Sequence, residues 1–439
     1  MLIRNARLAT PQGIYEVDIL VEQGKISKIG KDIQTVGNQT VDASEYLVIP
    51  AAIDGHTHFH SRFLGAKEPI PTADDYSSGS EVALAGGITT YVNFIETSNM
   101  KEEIDLAKST SKADFSFHLI VKNQKDIETI DEAFKLGVRS VKVFMAYRGS
   151  MMLSDDEIIS AAEKVKKLNG VLAVHAENGD IIEYLRSKYG DKKEAIYHAI
   201  TRPIETEEEA VNRFSAITYF TGVKSYVVHV SSPNSLDIID NWRVKGNNIW
   251  AETCPHYLVF DTSFYERKDG YRFIMSPPLR DKEYVLSLLK KLEKVYTIGS
   301  DYSGYLSKYK DEVESYAEVP NGVASTEFLV PTVYTLALRG YTTIEHAVEM
   351  TSVNPAKLYG MVDKGFGIGK DADLVFLKKE KYRVKDWHGK MDHSIYEGVE
   401  FDVKVYKTYL RGELVYEDGE IKGGKGLQVN RIHDDGKVF

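Results

Sequence analysis

Over the first 45 residues, β-branched and apolar residues recur in short spans broken by turn residues, the pattern of short strands. Residues 2–9, 15–22 and 25–29 read as strands punctuated by Gly13 and Gly24, with Gly24-Lys25 as a hairpin turn. From about residue 47 the pattern changes. Continuously apolar runs of strand length cover residues 47–54, 88–95, 115–121, 140–144, 171–175, 226–229, 249–253 and 295–298. Charged amphipathic stretches such as 154–168 and 282–293 lie between most of them and predict helices. A strand that is apolar on both faces is buried on both, as in a parallel sheet. Eight such runs separated by helices predict an α/β fold, a (β/α)8 TIM-like barrel. After about residue 365 the β pattern returns at 374–377 and 403–415, and Asp418-Gly419 marks a second hairpin. The two β-rich ends are expected to meet as one small β-sandwich. The expected organisation is 1–48 (first part of the sandwich), 49–364 (barrel) and 365–439 (second part), with the last 15 residues as a surface arm.

Composition narrows the function classes. The 439 residues suffice for one barrel and a smaller domain, with 43% hydrophobic and 27% charged residues, values ordinary for a soluble protein. A net charge of −10 argues against nucleic acid or an anionic membrane surface as partner. One cysteine, Cys254, rules out an intrachain disulfide and suits a reducing cytoplasm. The N-terminus lacks a signal-peptide core, and no run approaches the roughly 20 apolar residues of a membrane span.

The polar residues within the apolar runs carry the chemistry. In a barrel of this type, reactive groups sit at the C-terminal ends of the strands. The first run ends in Asp54-Gly55-His56-Thr57-His58, the fourth contains Lys142, and the fifth ends in His175-Ala176-Glu177. The sixth ends in His229-Val230-Ser231-Ser232 and the eighth in Gly299-Ser300-Asp301. His56, His58, Lys142, His175, His229 and Asp301 are therefore expected at one mouth as ligands of divalent metal. Two histidines two apart share a strand face and can grip one ion. Imidazole and carboxylate suit zinc first, and also Mn, Co, Ni or Fe. An ammonium cannot ligate and would repel the cations. Reaction of Lys142 with CO2 resolves this, because the carbamate (N6-carboxylysine) is an anion able to bridge two metals. His118 reads as a structural hydrogen-bonder and His198, His346, His388, His393 and His433 as surface residues. His60 is left open, and Glu177 could orient ligands or cap a helix.

These stretches resemble the cyclic amidohydrolases, and within them the D-hydantoinase/dihydropyrimidinase branch. The likeness runs from end to end. It is carried by Ile53-Asp54-Gly55-His56-Thr57-His58, Thr72-Ala73-Asp74-Asp75-Tyr76, Lys142-Val143-Phe144-Met145-Ala146-Tyr147, Val174-His175-Ala176-Glu177-Asn178-Gly179, Glu252-Thr253-Cys254-Pro255-His256-Tyr257-Leu258, Ser276-Pro277-Pro278-Leu279-Arg280 and Pro320-Asn321-Gly322. The resemblance implies hydrolysis of a cyclic amide, a hydantoin or dihydropyrimidine ring, to an N-carbamoyl amino acid by a hydroxide held between two metal ions. It implies Asp301 as base and then acid, Tyr147 as donor to the oxyanion, and Ser276 and Asn321 as substrate contacts. It also implies a homodimer or homotetramer. Allantoinase and dihydroorotase are the nearest alternative activities; a non-catalytic dihydropyrimidinase-related scaffold is the alternative of another class. Three places depart from the family pattern: His60 where an Asp is usual, the stretch 61–70, and Tyr302-Ser303-Gly304 after Asp301.

Overall fold

A computed structural model describes residues 1–37, 39–63 and 68–432. Eight parallel strands form the central sheet: Ala52–Thr57, Ile88–Ile95, Asp114–Ile120, Ser140–Phe144, Val171–His175, Ser225–Val227, Ile249–Thr253 and Thr297–Ile298. They are ordered as in the chain, and a parallel bridge between Tyr302, just beyond the eighth strand, and Thr57 of the first brings the two edges together. This is the (β/α)8 barrel. Its strands are almost wholly buried, which explains why they read as continuous apolar runs. Several of the intervening helices begin at side-chain caps. Ser154 and Glu157 form a capping box for Asp155–Lys167. Asn178 caps Gly179–Lys188, and Ser232 caps Pro233–Val244 with proline in the first turn.

Both chain ends join in a second sheet. Leu47–Pro50 pairs in parallel with Leu2–Thr10 and antiparallel with Leu374–Lys378, so a single hydrogen-bonded sheet of nine strands results. The run expected as one barrel strand, 47–54, is thus two: the chain leaves the small sheet at Pro50 and enters the barrel at Ala52. Apolarity cannot reveal this change because both pieces are buried. The first hairpin turns on Gln23 and Gly24, one residue earlier than expected, and the last on Asp418 and Gly419; all four have positive φ, as the tight two-residue turn requires.

The final segment is a further correction. It is no surface arm as far as residue 432. Gln428 and Arg431 bridge to Phe115 and Met361, and buried Arg431 enters the N-terminal end of the barrel. Its guanidinium donates to Tyr359 O (2.8 Å), Phe117 O (3.0 Å) and Ser140 Oγ (3.0 Å). His433 lies outside the described residues.

A buried ionic knot fastens barrel to sheet. Lys364 Nζ meets Asp114 (2.5 Å), Asp371 (2.9 Å) and Asp373 (2.8 Å). Burial pushes the ammonium pKa down, but Asp373 and Asp114 outweigh it and hold the group above the usual lysine value. The three carboxylates could in principle surround a cation; here the lysine takes that place. Lys364→Met would leave them facing one another with only Arg411 on Asp114 and the half-exposed Lys25 on Asp371, and removing one partner of a buried charge set costs about 3–5 kcal/mol. The expected result is a clear drop in thermal unfolding temperature with specific activity of the folded fraction retained; an unchanged melting curve would refute the assignment.

Candidate metal centre

At the C-terminal mouth of the barrel the expected ligands converge. His56 Nε2 lies 3.0 Å and His58 Nε2 3.4 Å from Asp301 Oδ1. The His229 ring centroid is 5.4 Å from that of His56 and 4.6 Å from that of His175. Lys142 projects from the fourth strand, its Nζ 5.1 Å and 5.3 Å from the ring centroids of Phe94 and Phe144. The Lys142 ammonium makes no hydrogen bond or ion pair with any described residue. Burial drives its pKa down to about 8 against the pull of Asp301 and Glu252, and its charge in turn opposes protonation of His56, His58, His175 and His229. Burial also lowers the pKa of His58, His175 and His229, which favours the neutral form a ligand needs.

Buried carboxylates set the ring orientations. Glu252, at the end of the seventh strand, accepts from His56 Nδ1 at 2.7 Å, which leaves Nε2 facing Asp301. Glu177 accepts from His175 Nε2 at 2.7 Å and is itself paired with Arg202 at 2.6 Å. Asn178, not Glu177, caps the following helix, so the two readings of Glu177 resolve in favour of orientation. Asp54 accepts from the backbone of His56 (3.1 Å) and Ser300 (2.9 Å), tying the first strand to the eighth. Gly299 permits this closeness: a Cβ there would lie 2.8 Å from His56 Cβ and 2.9 Å from the Glu252 carboxylate.

Tyr147, His229 and Asp301 adopt left-handed backbone, with φ of 65°, 41° and 48°. Such conformations cost of order 1–3 kcal/mol each for non-glycine residues and persist where surrounding structure dictates them. Here they turn side chains of three different loops toward one space. Beside it the expected substrate contacts form a chain. Asn321 Nδ2 donates to Ser276 Oγ at 3.0 Å, and the Tyr147 hydroxyl also interacts with Ser276. The Arg202 guanidinium carbon is 5.3 Å from the Tyr147 ring centroid.

Other expectations divide. His118 is a buried hydrogen-bonder, linking Ser140 Oγ to Gly55 O. His198 and His393 are buried, not surface residues; His198 donates to Met275 O at 2.7 Å, behind Ser276. His346 and His388 are half-buried and paired with Glu349 and Glu327. His60 pairs with Glu103 at 3.1 Å. Within stretch 61–70, Arg62–Phe63 pairs with Ile70–Pro71; residues 64–67 lie outside the described residues. Glu252 and Arg202 were missed in the sequence. For Glu252 a signal existed: it is an acid inside an apolar run, at the same strand-end level as the histidines.

The donor set fits divalent metal. His56, His58 and Asp301 bring one ligand atom each within 4.8 Å of one another. His229 Nδ1 and one oxygen each of Glu177 and Glu252 are buried without a hydrogen-bond partner among the described residues, an arrangement costly to a protein unless polar groups nearby complete it.

A model of the amidohydrolase family matches residues 47–234 and 283–415. The chain belongs to that family. It is 35% identical to a D-hydantoinase of Geobacillus stearothermophilus over 98% of this chain and 96% of that one. It is 33% identical to a D-hydantoinase of Rhizobium radiobacter over 96% of each. The crystal structure of dihydropyrimidinase from Brevibacillus agri superposes with a TM-score of 0.93 at 32% identity, covering 98% of both chains. Within the amidohydrolases the chain falls in the D-hydantoinase/dihydropyrimidinase branch.

Proposed function

We propose that this protein opens a hydantoin or dihydropyrimidine ring by hydrolysis, releasing an N-carbamoyl amino acid. One observation carries the reading: four histidines, Lys142 and Asp301 converge at the barrel mouth beside the Tyr147–Ser276–Asn321 chain. His56, His58 and Asp301 would hold one divalent ion and His175 and His229 a second. Lys142 would join them after its neutral amine adds CO2, losing one proton to form the carbamate. Zinc is the first candidate; Mn, Co, Ni and Fe suit the same donors. Bound metal supplies Lewis acidity and lowers the pKa of water from 15.7 toward about 7, which allows hydrolysis at neutral pH.

The chain's own groups do the rest. Asp301 takes the proton released as water adds to the scissile carbonyl, then delivers it to the departing ring nitrogen. Tyr147 donates to the oxygen on which charge develops, a contribution worth about 3–4 kcal/mol. Backbone groups at Ser276 and Asn321 hold the ring's imide. The cyclic substrate is small, and no helix among the described residues is long and apolar enough to cross a membrane. We place the protein in the cytoplasm, as its single buried thiol suggests, and in assemblies of two or four copies. Exposed Tyr219, Phe220 and Val244, on the packed helices Ile204–Thr221 and Pro233–Val244, are apolar groups such an assembly would cover.

The test is a panel of hydantoin, dihydrouracil, allantoin and dihydroorotate, with zinc, cobalt and manganese supplied in turn. Ring opening of hydantoin or dihydrouracil is expected. Turnover of allantoin or dihydroorotate alone would overturn the substrate, and a protein that binds no metal and hydrolyses nothing would be a scaffold.

A further inference from the structure

Lys310 lies on the short helix Ser307–Asp311, away from the metal ligands, and is almost fully buried. Its Nζ pairs with no carboxylate among the described residues. It donates instead to three backbone carbonyls: Arg272 O at 3.2 Å, Ile274 O at 2.9 Å and Gly322 O at 2.6 Å. The first belongs to the 3-10 turn Gly270–Phe273, and the other two to segments without regular structure. One leads from Ile274 to Ser276, and the other runs through Asn321 and Gly322. A cation caged by backbone oxygens is costly to desolvate, and it persists here because all three of its protons are used.

The cage holds together the two segments that present Ser276 and Asn321. Ile274 O accepts both from Lys310 and from Gly322 N (3.0 Å), so one carbonyl is shared by the two segments. Gly322 has φ of 139°, and a Cβ there would lie 2.4 Å from Ser303 Cβ, so its backbone is pressed into place. Asn321 Nδ2 then reaches Ser276 Oγ at 3.0 Å. On the far side His198 holds Met275 O. We infer that Lys310 is a positioning residue for substrate recognition, cross-linking through its ammonium the two segments that grip the ring's imide. This rests on the proposed cyclic-amide hydrolysis and adds to it the group that sets the geometry of the imide grip.

Burial moves the Lys310 pKa down to about 7, with Asp311 opposing. The charged groups facing it from neighbouring elements are Arg272, which pairs with Asp311, and the His393–Asp392 pair, whose Asp392 accepts from Ser307 N at 2.9 Å. The protonated form supplies three donors and the neutral form two. Grip should therefore weaken as pH rises through the Lys310 pKa.

The experiment measures KM and kcat separately for the native protein and for Lys310→Met on whichever ring the native protein opens. Lys310→Met is expected to raise KM at least tenfold, change kcat less than threefold and leave metal content unchanged. In the native protein KM should rise between pH 6 and 9, a rise that is lost in the variant. A folded variant with native KM, or one whose loss is all in kcat or in metal, overturns the inference while leaving the hydrolase reading intact. If the variant does not fold, a native KM that stays flat from pH 6 to 9 overturns it equally. Absence of ring opening by the native protein would instead overturn the hydrolase reading.

Discussion

Lys142→Ala is expected to lower ring-opening activity by about a thousandfold and to cost the protein bound metal. Metal Lewis acidity is worth several kcal/mol at a transition state, and each 1.4 kcal/mol is tenfold in rate. The structural case is that Lys142 makes no sense as an ammonium. Its ammonium is buried between two phenyl rings, opposes protonation of four imidazoles and has no hydrogen bond or ion pair among the described residues. The same burial lowers its pKa to about 8, so that about a tenth is the neutral, nucleophilic amine at pH 7. Added acetate or propionate should restore part of the lost activity in the alanine variant, because a free carboxylate can enter the space vacated by the side chain. Activity assays with and without the acid, together with metal analysis, check this. Full activity with full metal content in the unaided variant would show that Lys142 does not bridge.

How far this centre could be read in advance depends on where its residues lie. His56, His58, Lys142, His175, His229 and Asp301 stand out because they interrupt apolar strands whose number and spacing already imply a barrel. Tyr147, Ser276 and Asn321 lie in loops, where no periodicity marks them, and only the family resemblance pointed to them. The Glu177–Arg202 pair joins a strand end to the turn before the helix Ile204–Thr221, a contact the tertiary fold alone creates. Lys310 reads as a surface helix residue, since Lys308-Tyr309-Lys310-Asp311 is polar on most sides. Its burial comes from the loops that close over it. The same holds for Arg431, a charged residue in a terminal segment that fills the barrel floor. His198 and His393 read as surface residues for the converse reason: a polar stretch gives no hint that neighbouring segments will cover one of its members. The small sheet was foreseeable as a union of both chain ends, but not the break at Ala51, where one apolar run serves two sheets.

Asp301→Asn is expected to lower kcat by about 10²–10⁴-fold, the range typical of removing a positioned general acid–base group, while KM changes little. The amide keeps the shape of the carboxylate and an oxygen that can ligate, but it cannot carry a proton from water to the leaving nitrogen. What makes Asp301 suited to that transfer is its placement. The left-handed backbone at φ 48° turns it toward the histidine pair, and one oxygen sits 3.0 Å from His56 Nε2 and 3.4 Å from His58 Nε2. The flanking residues fix that conformation. Ser300 N donates to Asp54 at 2.9 Å, and His58 N donates to Tyr302 O at 2.8 Å. The Tyr302 hydroxyl is anchored on Asp74, which also accepts from Lys390 N at 2.9 Å. The departure from the family pattern at Tyr302 therefore adds a support to the backbone around Asp301 and leaves all six candidate ligands in place. Steady-state kinetics and metal analysis of Asp301→Asn separate the two roles. A kcat loss with metal retained assigns proton transfer to Asp301, whereas loss of metal in proportion to activity would make it a ligand only.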